Sequence, residues 1–297
     1  MSPHEQLADG DVLSVRNLSI GFGGLKALDA ISFDVHACEI FGLIGPNGAG
    51  KTTVFNCITQ FYKPDEGEIW FRYDPARLHR AKAGPVAGVA GEPSTGSASV
   101  SQVGSSVLDL VGKPTHEVIR YGLVRTFQNV EVIPELSLID NVLIGGHIDF
   151  TSTMFEQVFR APRARREEEL YRRKAQAALD FMGIGALADQ LAGGQPYGVL
   201  KKLEMARTLM ARPTLIILDE PAAGLNESET EDLVATIRRI RAEYHCAVLL
   251  VEHDMRLVMN VCERICAISF GKLLALGTPA QIQTDKSVQE AYLGEQE

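Results

Sequence analysis

Two short apolar runs without a charge, LIIL at 215–218 and CAVLLV at 246–251, have the length of strands buried on both faces. Nearer the N-terminus, VLSVRNLSI, ISFDVHACEIFGLIG and GEIWFRY set β-branched and aromatic residues between Gly and Asp turns, which predicts strands from Val12 to Tyr73. The period changes over residues 162–182. A proline in the first turn, mixed charges, and Leu170, Ala178, Leu179 and Met182 on one side predict a helix whose arginines form a solvated face. One stretch carries no pattern at all. From Gly84 to Ser106 the chain is nearly all small residues with Glu92 the only charge, too little apolar surface to offset the entropy of ordering, which predicts a mobile loop.

Strand-rich segments flanking a helical middle predict an α/β core with an inserted helical subdomain. The boundaries expected are a β-rich part with a phosphate loop over 11–74, a flexible insertion over 75–112, a helical subdomain over 113–213, the rest of the core over 214–270 and a tail over 271–297.

Composition narrows the partners. The 297 residues carry a net charge of −9, which argues against a nucleic acid as the main partner. The five cysteines are an odd number without a Cys-x-x-Cys pair, as expected of a reducing compartment, and Cys262 with Cys266, one helical turn apart by spacing, is too few ligands for zinc. No run reaches the ~18 apolar residues of a membrane span, and the acidic opening MSPHEQLADGD does not read as a signal peptide. The expectation is a cytosolic chain.

The chemistry lies in three places. FGLIGPNGAGKTTVFNCI matches G-x-x-x-x-G-K-[ST] at Gly45, Gly50, Lys51 and Thr52, after an apolar strand and before a helical run. Glycines permit the tight backbone that turns N–H groups toward phosphate, and the helix N-terminus favours negative charge. The motif puts Lys51 on the β- and γ-phosphates and Thr52 on Mg2+. TLIILDEP ends a buried strand in Asp219 and Glu220, one carboxylate to hold Mg2+ through water and one to polarise the attacking water. AVLLVEHD ends a second strand in His253, at the same sheet edge.

Together with RTFQN (125–129) and YGVLKKLEMAR (197–207), these motifs stand in the order of the ATP-binding subunits of ABC transporters, which the chain resembles over nearly its whole length. FGGLKALDAISFDV, VRTFQNVEVIPELSLIDNVLIG, PAAGLNESE and GTPAQIQTDKSVQEAYLGE are similar to the longer cassette of branched-chain amino acid importers. The resemblance implies a P-loop NTPase fold of the ABC ATPase type, with an antiparallel β-rich N-terminal part. It implies ATP and Mg2+ as ligands. Phe22 would stack on adenine, and Gly45, Pro46, Asn47, Gly48, Ala49, Gly50, Lys51, Thr52 and Thr53 would cradle the phosphates. Gln128 would sense Mg2+ and the attacking water, Asp219 would orient the metal, Glu220 would be the general base and His253 the γ-phosphate switch. Asn226 stands where many cassettes carry aspartate in a loop at the dimer interface. The implied partners are two transmembrane permease subunits, a second cassette (identical or a paralogue) and, indirectly, a solute-binding protein, at the cytoplasmic face of the membrane.

One segment departs from the common family pattern. Where many cassettes carry Leu-Ser-Gly-Gly-Gln, a loop that grips the partner cassette's γ-phosphate, this chain has Gln195, Pro196, Tyr197, Gly198 and Val199. Val199, Leu203, Ala206 and Met210 share a helical face, so a helix is expected from Val199, its N-terminal amides open to phosphate. The missing serine hydroxyl removes a hydrogen bond worth about 1.5–3 kcal/mol, which reads as a weakened but working loop. Rival readings are a cassette of a urea or amide importer or of a lipid or polysaccharide exporter, a soluble ABC ATPase not coupled to transport, and an inert ATP-binding partner.

Overall fold

The computed structural model describes residues 7–75, 105–126, 131–146 and 162–293. Four strands form at the N-terminus: β1 (Asp11–Phe22), β2 (Leu25–His36), β3 (Ile40–Ile44) and β4 (Glu66–Tyr73). A short β5 (Ser106–Asp109) pairs with β4, completing an antiparallel sheet in the order β2-β1-β4-β5. The bulge in β1 is made at Asn17, whose φ of 48° lies in the left-handed region that asparagine tolerates.

The remaining strands are β6 (Leu123–Arg125), β7 (Leu215–Asp219), β8 (Ala247–Val251), β9 (Arg264–Ser269) and β10 (Lys272–Gly277). With β3 they make a six-stranded sheet ordered β10-β9-β3-β8-β7-β6, parallel throughout except for the β9–β10 hairpin. Every residue of β3, β7 and β8 is buried, which is why these strands read as apolar runs without alternation. Helix α1 (Lys51–Ile58) follows β3, and α2 (Thr115–Tyr121) precedes β6. One apolar core joins both sheets and α1; it includes the stacked rings of Phe33 and Phe41, 5.3 Å apart, with Phe55 and Phe71.

A separate helical unit contains α3 (Leu138–Gly145), α4 (Pro162–Phe181) and α5 (Tyr197–Met210). Ser137 caps α3 by accepting from the Asp140 amide at 3.2 Å. Gly145 lets α3 approach α5 closely: a β-carbon there would lie 2.3 Å from the Arg207 carbonyl oxygen. Of the face expected on α4, Ala178, Leu179 and Met182 are buried and Leu170 is half-buried, while Tyr171 and Ala175 join the buried set. Arg165, Arg166, Arg172 and Arg173 are exposed, and Arg172 reaches Asp140 at 3.4 Å.

The rest of the first unit comprises α6 (Glu227–Tyr244), α7 (Met255–Val261), α8 (Pro279–Thr284) and α9 (Lys286–Leu293). No helix among the described residues is long and apolar enough to cross a membrane.

Three expectations shift. The chain divides into Met1–Tyr73 with Ser105–Gln128 and Thr214–Glu297, and Asp74–Gly104 with Asn129–Pro213. The insertion therefore does not extend to residue 112, because Ser106–Asp109 supplies the β5 ladder, with Tyr73 opposite Ser106. Residues 113–126 likewise belong with the sheets rather than the helical unit, because β6 pairs with β7. Cys262 and Cys266 do not share a helix: one ends α7 and the other is buried in β9. Most of Gly84–Ser106 lies outside the described residues.

Candidate nucleotide site

Strand register assembles the site. Leu43 of β3 lies opposite Val251 of β8, and Val251 lies opposite Asp219 of β7. Three adjacent parallel strands thus end level with one another, and each gives way to one of the sequence motifs at the carboxyl edge where open α/β sheets bind ligands.

The phosphate loop leaves β3 at Gly45. A β-carbon on Gly45 would lie 2.2 Å from the Ile268 carbonyl oxygen, so only glycine fits against β9. Gly50, with φ 105°, packs less tightly on Leu28, where a β-carbon would meet Cδ2 at 2.8 Å. The Gly271 amide donates to the Ala49 carbonyl at 2.9 Å, pinning the loop to the β9–β10 turn. Lys51 Nζ curls back to donate to the carbonyls of Gly45 (2.6 Å) and Pro46 (3.0 Å), which holds the ammonium over the loop. Asn47, Gly48 and Thr52 are exposed, and Thr53 is half-buried. The first amides of α1 have no partner within the helix, so the loop offers donors and positive charge where an anion would sit. The residues present fit a triphosphate.

Asp219 is buried at the end of β7. Glu220 follows with φ 45°, a left-handed conformation unusual for a residue with a β-carbon, and its amide donates to the Val251 carbonyl at 2.9 Å. The Glu220 carboxylate lies 3.8 Å from His253 Nδ1, and the imidazole is more than half exposed. The hydroxyl of Thr52 and the carboxylate of Asp219 are the hard oxygen donors that Mg2+ takes, alongside water and phosphate oxygens.

Phe22 ends β1 with its ring about half exposed, and Tyr62 packs against its ring, edge to face, at 5.3 Å. Tyr62 had no place in the sequence reading. Arg125, at the end of β6, lies between the rings of Phe55 and Phe61, 4.8 Å from each, and donates to Asn56 Oδ1 at 2.9 Å. This fixes the strand that leads toward Gln128, which itself lies outside the described residues.

Two further findings went unseen in the sequence. Glu252, between Val251 and His253, is buried at 1% exposure; burial pushes its carboxyl up, partly offset by backbone amides that donate to it. Its one signal was a carboxylate continuing an apolar run. Asn226 is the N-cap of α6, in a reciprocal capping box with Glu229, a pattern that N-x-x-E spells directly.

In the helical unit, α5 begins at Tyr197, two residues earlier than expected, with Pro196 as its N-cap. Proline's fixed φ suits a helix start, and the amides of Val199 and Leu200 already donate to the Pro196 carbonyl, at 2.9 and 3.1 Å. Tyr197 and Gly198 therefore form the first helical turn rather than a loop. Leu203, Ala206 and Met210 are buried and Val199 half-buried. Gln195 donates from Nε2 to Gln190 Oε1 and the Leu191 carbonyl, both at 3.1 Å.

The family model described as ABC transporter matches residues 28–223. The chain belongs to the ABC transporter family. A second model, described as branched-chain amino acid ATP-binding cassette transporter, matches residues 272–297 of the cassette. Among its curated relatives is the high-affinity branched-chain amino acid transport ATP-binding protein BraF of Pseudomonas aeruginosa, 39% identical over 96% of this chain and 98% of the relative. LivG of Escherichia coli, named for the same transport, is 37% identical over the same shares. Among solved structures, the ADP conformation of MJ1267, an ATP-binding cassette of an ABC transporter, superposes with a TM-score of 0.73 at 28% identity, covering 96% of this chain and 99% of that one. The cassette is accordingly a nucleotide-binding ATPase subunit of a transporter, with the fold of a P-loop NTPase.

Proposed function

We propose that this cassette hydrolyses ATP to power an importer of branched-chain amino acids or related small polar solutes. The observation that carries the reading is the level ending of β3, β7 and β8, which brings the phosphate loop, Asp219–Glu220 and His253 to one sheet edge. The relatives' names and the C-terminal match support the substrate class.

In this reading Phe22, buttressed by Tyr62, stacks on adenine. Loop amides from Gly45 to Thr53 and the Lys51 ammonium hold the phosphates. Thr52, Asp219 and Gln128 hold Mg2+, which when bound neutralises charge on the phosphate oxygens. Glu220 takes the proton of the attacking water, and His253 donates toward the γ-phosphate. Tyr197 and Gly198 start a helix whose free amides face the nucleotide of a second cassette, identical or paralogous. Two transmembrane permease subunits receive the work at the cytoplasmic face of the membrane, and a solute-binding protein delivers the cargo.

The test is reconstitution in vesicles with the permease, companion cassette and solute-binding protein. ATP hydrolysis and uptake should rise together with leucine, isoleucine or valine. A response to urea or a short amide alone would move the substrate class, and no response to any solute would overturn the importer reading.

A further inference from the structure

Glu252 sits where two loops meet. Its Oε1 accepts from the Ala222 amide at 2.9 Å, and its Oε2 accepts from its neighbour His253's amide at 3.2 Å. The same Oε2 lies 3.9 Å from His253 Nδ1. Ala222 belongs to the turn that carries Glu220, thirty residues earlier in the chain. Among the described residues no lysine or arginine pairs with this buried carboxylate, so its compensation comes from amides of the two loops.

The Glu220 turn needs such support. A left-handed φ at a residue with a β-carbon is unfavourable and persists only where the surroundings hold it. The end of β8 holds it at two points: the Val251 carbonyl takes the Glu220 amide at 2.9 Å, and the Glu252 carboxylate takes the Ala222 amide. The Glu252 amide is in turn directed at the Leu43 carbonyl, 3.4 Å away, on the strand that launches the phosphate loop.

We propose that Glu252 is a positioning residue for ATP hydrolysis: one carboxylate clamps the loop bearing Glu220 to the backbone of His253, so that base and histidine face each other. This rests on the roles given above to Glu220 and His253. Glu252 itself is buried and offers a nucleotide almost no surface. Glutamine in its place has nearly the same shape but only one acceptor oxygen, and its NH2 group would oppose one of the two amides. The Glu220 loop would then lose one fixed point while the phosphate loop keeps all of its own contacts.

The experiment compares wild type, Glu252→Gln, Glu252→Ala and Glu220→Gln in the assembled transporter, reading ATP-binding stoichiometry, ATP Kd and single-turnover hydrolysis. The expected result is that Glu252→Gln binds ATP with full stoichiometry and a Kd within about twofold, yet hydrolyses it at least about tenfold more slowly, an effect of misplacement rather than of binding. Hydrolysis within twofold of wild type in Glu252→Gln, with Glu220→Gln inactive, would overturn the clamp and leave the reading of Glu220 intact. Stoichiometry falling in step with rate in both Glu252 variants would make the residue a core anchor and overturn the clamp. Undiminished hydrolysis by Glu220→Gln would overturn the reading of the site and the clamp with it.

Discussion

His253 Nδ1 lies 3.8 Å from the Glu220 carboxylate, across the ends of two neighbouring parallel strands. Neither residue reaches the other through local sequence; the register of β7 on β8 brings them together. Glu220→Gln should therefore separate binding from turnover. Steady-state hydrolysis in the assembled transporter should fall by about a hundredfold or more, the range of a lost general base. ATP affinity, measured by equilibrium titration, should stay within about twofold, because the carboxylate acts on water.

The glycines of the phosphate loop should differ sharply in their tolerance of a methyl group. Gly45→Ala drives a β-carbon to 2.2 Å from backbone oxygen, which must shift β9 or the loop and should destabilise by about 2 kcal/mol or more. At Gly48, with φ 75°, a β-carbon meets nothing within 4 Å, so alanine should cost only about 1 kcal/mol from its backbone conformation. Urea denaturation of the two variants measures the difference.

Alkylation should distinguish the cysteines. Cys57, Cys246, Cys262 and Cys266 are buried, and burial pushes each thiol up to about 12, leaving about one molecule in ten thousand as thiolate at pH 8. Cys38 is only partly buried, its thiol raised less. Mass spectrometry of native protein treated with iodoacetamide should find Cys38 modified first and the other four only after denaturation.

Replacing residues 84–104 with a short Gly-Ser linker should leave the melting temperature within about 2 °C of the parent, since a small-residue stretch offers little apolar surface. Extending the deletion through Asp109 should lower it by several degrees, because β5 and its ladder on β4 go with it.

The contrast between β3 and β5 shows how much was legible in the chain. The β3–loop–α1 unit was plain because glycine spacing, an apolar run and a helical run lie side by side, and their geometry is local. β5 was not. Ser106–Asp109 is short, half-buried and adjoins a run of small residues, and its strand character comes from β4, more than thirty residues away. The site divides the same way. Lys51, Thr52, Asp219, Glu220 and His253 are singled out by motif, whereas the bonds Glu252 accepts from Ala222 and His253, and Tyr62 beside Phe22, depend on contacts that no spacing encodes. The helix start at Tyr197 was misplaced by two residues because proline at the N-cap was taken for loop.

The pairing of Tyr73 with Ser106 has a practical reach. Tyr73 and Ser106 stand opposite each other in the β4–β5 ladder, so the two ends of the connection between them are held side by side whatever its length. Doubling that length adds only about 0.6 kcal/mol of closure entropy. The stem is thus a ready graft point, at which a fluorescent reporter or an affinity handle could ride on the cassette without any cut in its nucleotide machinery.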